Sequence, residues 1–121
     1  MEKIVFIVDD NDANLVVAAS ALEDEYKVLT IPSAQKLFSL LEKKTADLIL
    51  LDVEMPDMTG LEAIVIIREN ERQKNIPVIF LTSRNDEELK SEAVRYNVLD
   101  IIYKPIVPSS IKECVKKHIG V

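Results

Sequence analysis

The chain has 121 residues, of which 48% are apolar and 30% charged, a composition that suits one domain with a buried core and excludes a disordered or fibrous chain. Its formal net charge of −6 leaves no basic surface for a phosphate backbone, so direct nucleic-acid binding is disfavoured. No apolar run approaches the ~20 residues that span a bilayer, and the opening residues lack the apolar segment of a signal peptide. We expect a single domain over residues 1–121 that is cytoplasmic and does not contact a membrane.

The predicted strands are five short apolar runs, separated by longer segments in which apolar residues recur at helical spacing. They cover residues 4–8, 26–31, 48–51, 78–81 and 101–103. The first, third and fourth runs are apolar throughout, which is typical of strands covered on both faces. This alternation of strand and helix predicts a doubly wound α/β fold, in which a parallel sheet lies between two layers of helices.

The predicted helices follow the strands one by one. Ser33 is of the residue type that caps a helix N-terminus, and Pro108 suits the first turn of a helix. The helices are expected around residues 15–22 and 37–41, from 59 or 60 to about 71, around 89–96, and from 108 through 115.

Charged and hydroxyl side chains follow four of the predicted strands. Asp9 and Asp10 come after the first, Asp52 and Thr82 after the third and fourth, and Lys104 after the fifth. In a doubly wound sheet these carboxyl ends lie at one edge, where ligands bind. Three carboxylates there would repel one another, and one would take up a proton unless a cation lay among them. Oxygen ligands favour a hard divalent ion such as Mg²⁺.

An aspartate can attack phosphorus and form an aspartyl phosphate where the charge on the phosphoryl oxygens is neutralised. Asp52 stands alone at the end of the third strand and is the best placed nucleophile. The Lys104 ammonium group could pair with one phosphoryl oxygen, and the Thr82 hydroxyl could donate to another. The residues therefore indicate a metal-dependent phosphoacceptor site.

Four motifs carry a family resemblance that covers essentially the whole chain. They are Val-Asp-Asp at 8–10, Leu-Asp-Val-Glu-Met-Pro-Asp-Met-Thr-Gly at 51–60, Leu-Thr-Ser at 81–83 and Lys-Pro at 104–105. Each is weak alone, but their shared order and spacing are specific. With them the chain resembles a response-regulator receiver domain of two-component signalling, which has the CheY-like fold.

The resemblance implies the fold and the site in more detail. It implies a (βα)5 sandwich with strand order 2-1-3-4-5, and phosphate accepted on Asp52 from a sensor histidine kinase or a histidine phosphotransfer protein. It also implies that Asp9, Asp10, Asp52 and the backbone carbonyl of Glu54 hold Mg²⁺ or Mn²⁺. Thr82 and Lys104 would then contact the phosphoryl group.

The output implied by the resemblance is altered binding rather than catalytic turnover, beyond the domain's own phosphotransfer and dephosphorylation. Phosphorylation would change contacts with a downstream effector, a fused output domain or a second copy in a homodimer. The chain departs from the family at Ile101, where receivers commonly carry a switching aromatic residue. Strand period places Tyr103 on the same face, so our hypothesis is that Tyr103 partly replaces it; a static tyrosine is the alternative.

Two further hypotheses concern residues near the site and on the third helix. Glu54 and Arg84 carry opposite charges near the predicted phosphate, so they could pair across the mouth of the site and slow hydrolysis. Val65 and Ile66 extend the apolar stripe of the third helix. Either one of them is buried and the other is an ordinary exposed residue, or the pair contacts a partner.

Other classes of site and protein are disfavoured. The single cysteine, Cys114, excludes an internal disulfide and a cysteine-based zinc site, and we interpret it as a helix packing residue. His118 at the end of the last helix is a poor metal ligand or phosphorelay histidine. A haloacid-dehalogenase-like phosphatase would need a paired Asp-x-Asp and a capping insert; Asp10 and Asp12 only mimic that pair. A degenerate receiver that works without phosphate is the third alternative.

Overall fold

The computed structural model describes residues 2–121, and within them five strands alternate with five helices. The strands are β1 (Ile4–Val8), β2 (Lys27–Ile31), β3 (Leu48–Asp52), β4 (Val78–Thr82) and β5 (Asp100–Tyr103). The helices are α1 (Asp12–Leu22), α2 (Ala34–Leu41), α3 (Gly60–Glu69), α4 (Glu87–Arg95) and α5 (Pro108–Ile119). The strands pair in parallel in the order β2-β1-β3-β4-β5, so the predicted fold and strand order are confirmed.

The strand boundaries and the end of α3 differ from the sequence prediction by one or two residues, whereas α1 and α2 begin three residues earlier than predicted and α5 continues to Ile119. Tyr26 lies before β2, because its N–H still donates to the carbonyl of Leu22 at the end of α1. Strands β3 and β4 each extend by one residue, to Asp52 and Thr82. Helix α3 ends two residues early, since the backbone at Asn70 is extended, with ψ of 123°. These extensions place two predicted site residues within the hydrogen-bonded sheet.

The core lies on both faces of the sheet, as the apolar runs predict. Along β1, Phe6 and Val8 pack with α2, α3 and α4, whereas Val5 and Ile7 pack with α1 and α5. All residues of β3 and β4 are buried. A strand buried on both faces cannot slip in register without moving apolar side chains out of the core, so the ends of β1, β3 and β4 are held firmly beside one another.

Helices α1 to α4 begin at side chains that cap their N-termini, whereas α5 begins at Pro108 without a side-chain cap. The Ser33 hydroxyl accepts a hydrogen bond from the Lys36 N–H at the start of α2, and Thr59 forms a capping box with Glu62 at the start of α3. Asn97, just after α4, has a positive φ of 55°, a conformation that asparagine tolerates better than most residues. No helix within residues 2–121 is long and apolar enough to cross a membrane.

Candidate functional site

The sheet brings the predicted site residues to one edge. Asp9 directly follows β1, Asp52 and Thr82 are the last residues of β3 and β4, and Lys104 directly follows β5. The backbone N–H of Lys104 donates to the carbonyl of Thr82 over 2.9 Å, which continues the pairing of β4 with β5. Residues from four strands therefore meet at the carboxyl edge, beside the point where the strand order reverses.

Three carboxylates form a compact cluster at this edge. One oxygen from each of Asp9, Asp10 and Asp52 lies within 4.8 Å of the other two. Asp9 and Asp52 are fully buried, whereas Asp10 is exposed. Oxygen ligands at this spacing, open to solvent on one side, fit a hard divalent cation that keeps some of its water.

Lys104 lies between the two buried carboxylates. Its Nζ is 2.9 Å from Asp9 Oδ2 and 3.0 Å from Asp52 Oδ1. Burial alone would lower the pKa of Lys104, but the hydrogen bonds to Asp9 and Asp52 outweigh it and raise the pKa. The ammonium group is therefore one cation that the crowded carboxylates require.

Asp52 remains short of compensating charge in spite of Lys104. Burial raises its pKa from 3.8 to about 7, and the negative charge of Asp9 adds to the rise, while Lys104 and the Glu54 N–H oppose it. Oδ1 accepts from Glu54 N over 3.1 Å. Oδ2 is also buried, and within residues 2–121 it has no hydrogen-bond partner. An oxygen in this state is suited to bind a cation or to attack an electrophile.

Asp9 is oriented by the start of α1. Its Oδ1 accepts from the Asn11 N–H over 2.9 Å, and its Oδ2 accepts from Asn14 Nδ2 over 3.2 Å. Asn14 is a site residue that was not predicted from the sequence, although its position in the first turn after the acidic pair is a usable signal. Because both oxygens already have partners, Asp9 can turn towards a ligand only within narrow limits.

The loop after β3 is shaped by a close approach at Gly60. Its N–H donates to the Val53 carbonyl over 2.8 Å. A Cβ at this position would lie 2.6 Å from the Asp52 backbone oxygen and 2.8 Å from Val53 Cα. Only glycine fits, so α3 begins directly against the end of the strand that carries Asp52.

Thr82 is held by Glu54, the residue that the sequence-based hypothesis paired with Arg84 instead. Its hydroxyl contacts both carboxylate oxygens of Glu54, at 3.0 and 2.8 Å, and accepts from the Arg84 N–H over 3.0 Å. The guanidinium group of Arg84 pairs instead with Asp86, with 2.9 Å between Nε and Oδ1. The expected ion pair between Glu54 and Arg84 is therefore wrong, since Asp86 lies closer along the chain and presents both oxygens.

Tyr103 and Ile101 take different environments on β5. Ile101 is partly buried and packs on the α2–α3–α4 side of the core, while Tyr103 is 42% exposed. Both line a shallow groove of about 310 Å³. On α3, Val65 is partly buried against the core and Ile66 is 42% exposed. One residue of the pair is therefore packed and the other exposed, an arrangement that both interpretations allow.

Comparison with known proteins identifies this arrangement. Residues 5–116 match the response regulator receiver domain family. The chain belongs to that family. It is 30% identical over 125 residues to the polar-differentiation response regulator DivK of Brucella ovis, a match that covers 99% of this chain and 98% of DivK. Receiver domains are phosphorylation-controlled modules of two-component signalling, and this chain is one of them.

Solved structures support the same assignment. The chemotaxis protein CheY4 of Vibrio cholerae superposes with a TM-score of 0.90 at 26% identity, covering 97% of this chain and 98% of that one. The match to the receiver family removes the phosphatase of haloacid-dehalogenase type as an alternative. In the structure, Asp12 is the exposed first residue of α1 and not part of a paired motif on β1.

Some relatives are much longer than this chain. A Vibrio cholerae protein named "Probable cyclic di-GMP phosphodiesterase" is 31% identical over 115 residues, and the match covers 95% of this chain but 26% of that protein. The phosphodiesterase name describes the whole relative. What this chain shares with it is a region with the length of a receiver domain.

Proposed function

We propose that Asp52 is the phosphoacceptor of this receiver. The supporting observation is its Oδ2 atom, which is buried and without a hydrogen-bond partner in residues 2–121, while Oδ1 is held by Lys104 and the Glu54 N–H. One oxygen is thus fixed and the other is free to attack. The proposed donor is a phosphohistidine of a sensor histidine kinase or of a histidine phosphotransfer protein.

The proposed transfer is a displacement at phosphorus. Asp52 Oδ2 forms the new P–O bond, the P–N bond to the donor imidazole breaks, and the imidazole leaves with the bonding pair. Asp52 must be ionised to attack, and the raised pKa means that a nearby cation favours the reactive form. Hydrolysis of the acyl phosphate by water later returns the free carboxylate.

Asp9, Asp10, Asp52 and the backbone carbonyl of Glu54 are the proposed ligands of Mg²⁺ or Mn²⁺. A bound ion of this kind neutralises charge on the transferred phosphoryl oxygens. The cluster fits it, because its carboxylates lie close together and because Asp52 is still undercompensated with Lys104 in place.

Lys104 and Thr82 would contact the phosphoryl group and change position when it is present. Lys104 is already 3.0 Å from Asp52 Oδ1, so a small shift would carry its ammonium group to a phosphoryl oxygen. Thr82 must first release the Glu54 carboxylate, to which it donates in this structure. That exchange of partners would move the end of β4 and, through it, β5 and Tyr103.

The proposed result is a change in binding. The surface that responds would contact a downstream effector, a fused output domain or a second copy of the chain. We propose that residues 1–121 form one receiver unit and that it acts in the cytoplasm, where the ATP that charges a histidine kinase is available. In this scheme the chain carries a signal and turns over no substrate other than its own phosphate.

The test is phosphorylation with a small-molecule phosphodonor, followed by intact mass measurement. We expect one Mg²⁺-dependent phosphoryl group on the wild type and none on Asp52→Asn. Asp57→Asn is the matched control, because Asp57 is exposed and lies in the same loop; it should be modified like the wild type. Modification that persists in Asp52→Asn, or that needs no divalent ion, would contradict the proposal.

A further inference from the structure

A second group of potential metal ligands lies at the opposite end of β5 from Lys104. The chain has one cysteine and one histidine, and these two residues, Cys114 and His118, stand four positions apart on α5. Residues at this spacing lie on the same face of a helix, one above the other. Both face Asp100, the first residue of β5.

The three side chains converge on a single carboxylate oxygen. Cys114 Sγ is 3.5 Å from Asp100 Oδ2, and His118 Nε2 is 3.0 Å from the same atom. One ligand atom from each of the three residues lies within 4.8 Å of the other two. A thiol, an imidazole and a carboxylate are thus held together by a strand and a helix.

These separations match those around a tetrahedral metal ion. Zinc bonds of about 2.3 Å to sulfur and about 2.0–2.2 Å to nitrogen and oxygen, at tetrahedral angles, place neighbouring ligand atoms about 3.3–3.7 Å apart. The measured S–O and N–O separations of 3.5 and 3.0 Å lie within a few tenths of an ångström of that range. Only small side-chain movements are therefore needed.

The ligands are also oriented by their surroundings. Asp100 Oδ1 accepts from the Ile101 N–H over 2.8 Å, which leaves Oδ2 directed at α5. The end of α5 is fixed by Tyr26, whose hydroxyl donates to the Gly120 carbonyl over 2.6 Å. The side chains of His118 and Asp100 are 18% and 38% exposed, so an ion and a water molecule can reach the group from solvent.

We propose that Asp100, Cys114 and His118 form a binding site for Zn²⁺, with water as the fourth ligand. The set of one sulfur, one nitrogen and one oxygen selects a borderline metal over Mg²⁺ or Ca²⁺, which take oxygen ligands. His118 binds through Nε2 in its neutral form. The Cys114 thiol gives up its proton to solvent as the Zn–S bond forms.

The site has a consequence for the fold that is separate from phosphorylation. It joins the start of β5 to the last turns of α5, whereas Lys104, which contacts the acidic cluster, lies at the other end of that strand, about 13 Å away at about 3.3 Å per strand residue. The two sites therefore bind different metals independently. Cys114 packs against the core, as its helical spacing predicts. His118 was predicted to be a poor ligand, because the spacing on α5 does not reveal that Asp100 faces both residues.

The test is titration of the whole chain with Co²⁺, an optical substitute for Zn²⁺, in excess Mg²⁺ and a phosphine reductant. Because the chain has one cysteine, a thiolate-to-cobalt charge-transfer band reports Cys114 alone. We expect a band that saturates at one Co²⁺ per chain and disappears on addition of Zn²⁺. It should be absent from Cys114→Ser.

Two further variants test the other ligands. We expect His118→Ala and Asp100→Asn each to weaken Co²⁺ binding at least tenfold. Glu113→Gln, an exposed carboxylate on the same helix, is the control and should bind like the wild type. Circular dichroism of each variant shows whether it is folded before its affinity is compared.

A measurement on the wild type tests the same ligands and does not depend on whether the variants fold. Zn²⁺ should shift the ring proton signals of the single histidine in the NMR spectrum at one equivalent. The proposal is overturned if the wild type gives no charge-transfer band, if the band survives unchanged in His118→Ala, or if the band saturates at one metal per two chains. An unshifted histidine signal at saturating Zn²⁺ would overturn it equally.

Discussion

Asp52 is the residue at which burial, repulsion and attraction compete most directly. Lys104 pairs with both Asp52 and Asp9, yet the pKa of Asp52 remains raised to about 7, first because of burial. A single ammonium group shared by two buried carboxylates cannot fully compensate both. The local chemistry at this residue therefore favours either a proton or a second cation.

This competition predicts a pH dependence of stability. The unfolded carboxyl ionises near pH 3.8, whereas the folded one keeps its proton up to about pH 7, so the native chain binds more protons between these values. The metal-free wild type should therefore lose stability as the pH rises through this window. Asp52→Asn cannot ionise, and the wild type should lose on the order of 4 kcal/mol of stability relative to it across this window.

Urea unfolding at several pH values, without divalent ions, measures this difference. Asp57→Asn serves as the control, since Asp57 is exposed and its substitution should preserve the wild-type slope. Addition of Mg²⁺ should restore the stability of the wild type at high pH. Parallel stability curves for the wild type and Asp52→Asn would show that Asp52 ionises normally.

Glu54 provides a second prediction at the residue scale. Its carboxylate accepts from the Thr82 hydroxyl over 2.8 Å, so it competes with any phosphoryl group for that donor. Glu54→Ala keeps the backbone carbonyl and frees Thr82, so beryllofluoride, a phosphate mimic, should bind about fivefold more tightly, as expected for one hydrogen bond of about 1 kcal/mol.

NMR titration with beryllofluoride measures that affinity. Arg84→Ala is the control, because Arg84 pairs with Asp86 rather than with Glu54, and its substitution should change the affinity little. If Arg84→Ala had the larger effect, the hydrogen bond between Glu54 and Thr82 would not be the contact that limits binding.

At the scale of elements, the junction of β3 and α3 depends on Gly60. A Cβ there would lie 2.6 Å from the Asp52 carbonyl oxygen, and backbone atoms cannot move aside as a flexible side chain can. Helix propensity alone would make Gly60→Ala stabilising by up to ~1 kcal/mol. We expect the clash to dominate and destabilise the fold by roughly 1–3 kcal/mol.

Thermal or urea unfolding shows whether Gly60→Ala stabilises or destabilises the fold. Ser91→Ala on the exposed face of α4 is a suitable control, since it adds no backbone contact and should leave stability within about 0.5 kcal/mol. A more stable Gly60→Ala protein would mean that α3 can move away from β3 at little cost.

Arg68 connects three segments at the other end of α3. Its guanidinium group donates to the carbonyls of Tyr96 at 2.7 Å and Ile76 at 2.8 Å, with longer bonds to Lys74 and Asn97. Lysine keeps the charge but cannot reach several carbonyls from one planar group. We expect Arg68→Lys to reduce the free energy of unfolding by about 1–3 kcal/mol.

The matched control is Arg72→Lys, because Arg72 is exposed and lies in the same region of the chain. Urea unfolding of the two variants gives the comparison. Equal stabilities would show that water replaces the contacts of Arg68 at no cost.

At the scale of the whole molecule, phosphorylation of Asp52 on β3 must change the surface at β5 if it is to alter binding. Tyr103 pairs in register with Thr82, is 42% exposed and borders a groove lined by Ala93, Val94 and Ile101. If Thr82 moves towards the phosphate, we expect the ring of Tyr103 to enter that groove. Tyrosine fluorescence and ring NMR signals should therefore change when beryllofluoride and Mg²⁺ are added.

The chain has three tyrosines and no tryptophan, so the difference between the wild type and Tyr103→Leu isolates the signal of Tyr103. Leucine keeps an apolar side chain beside the groove and removes the phenol. A Tyr103 signal that is identical with and without beryllofluoride would leave it as a static tyrosine and require another route through the fold.

The fold could be read almost entirely from the sequence. Apolar runs buried on both faces, such as Leu48–Asp52, have few alternative arrangements, and the family resemblance carried by the four motifs implied the strand order. The predicted start of β2 at Tyr26 and the predicted end of α3 near residue 71 differ from the structure by one or two residues. Local hydrogen bonds, rather than the spacing of apolar residues, set these boundaries. These are small shifts, and neither moves a site residue away from the carboxyl edge.

The residues of the candidate site could be predicted from the sequence, but the contacts between their side chains could not. Asp52, Thr82 and Lys104 follow directly from their positions at strand ends. The contact between Thr82 and Glu54 did not follow, nor did the pairing of Arg84 with Asp86. Side-chain partners depend on rotamers and loop geometry within a few ångströms, and spacing along the chain does not specify them.

The amino-acid sequence by itself determined the sheet, its helical layers and the group of acids and lysine at one edge, because burial period and strand order act over the whole chain. Only the tertiary structure decided that Lys104 bridges Asp9 and Asp52 while one Asp52 oxygen has no partner in residues 2–121. It alone also placed Asp100 against Cys114 and His118. The physical reason is that charge compensation and metal-ligand geometry depend on distances of a few ångströms between segments far apart in the chain.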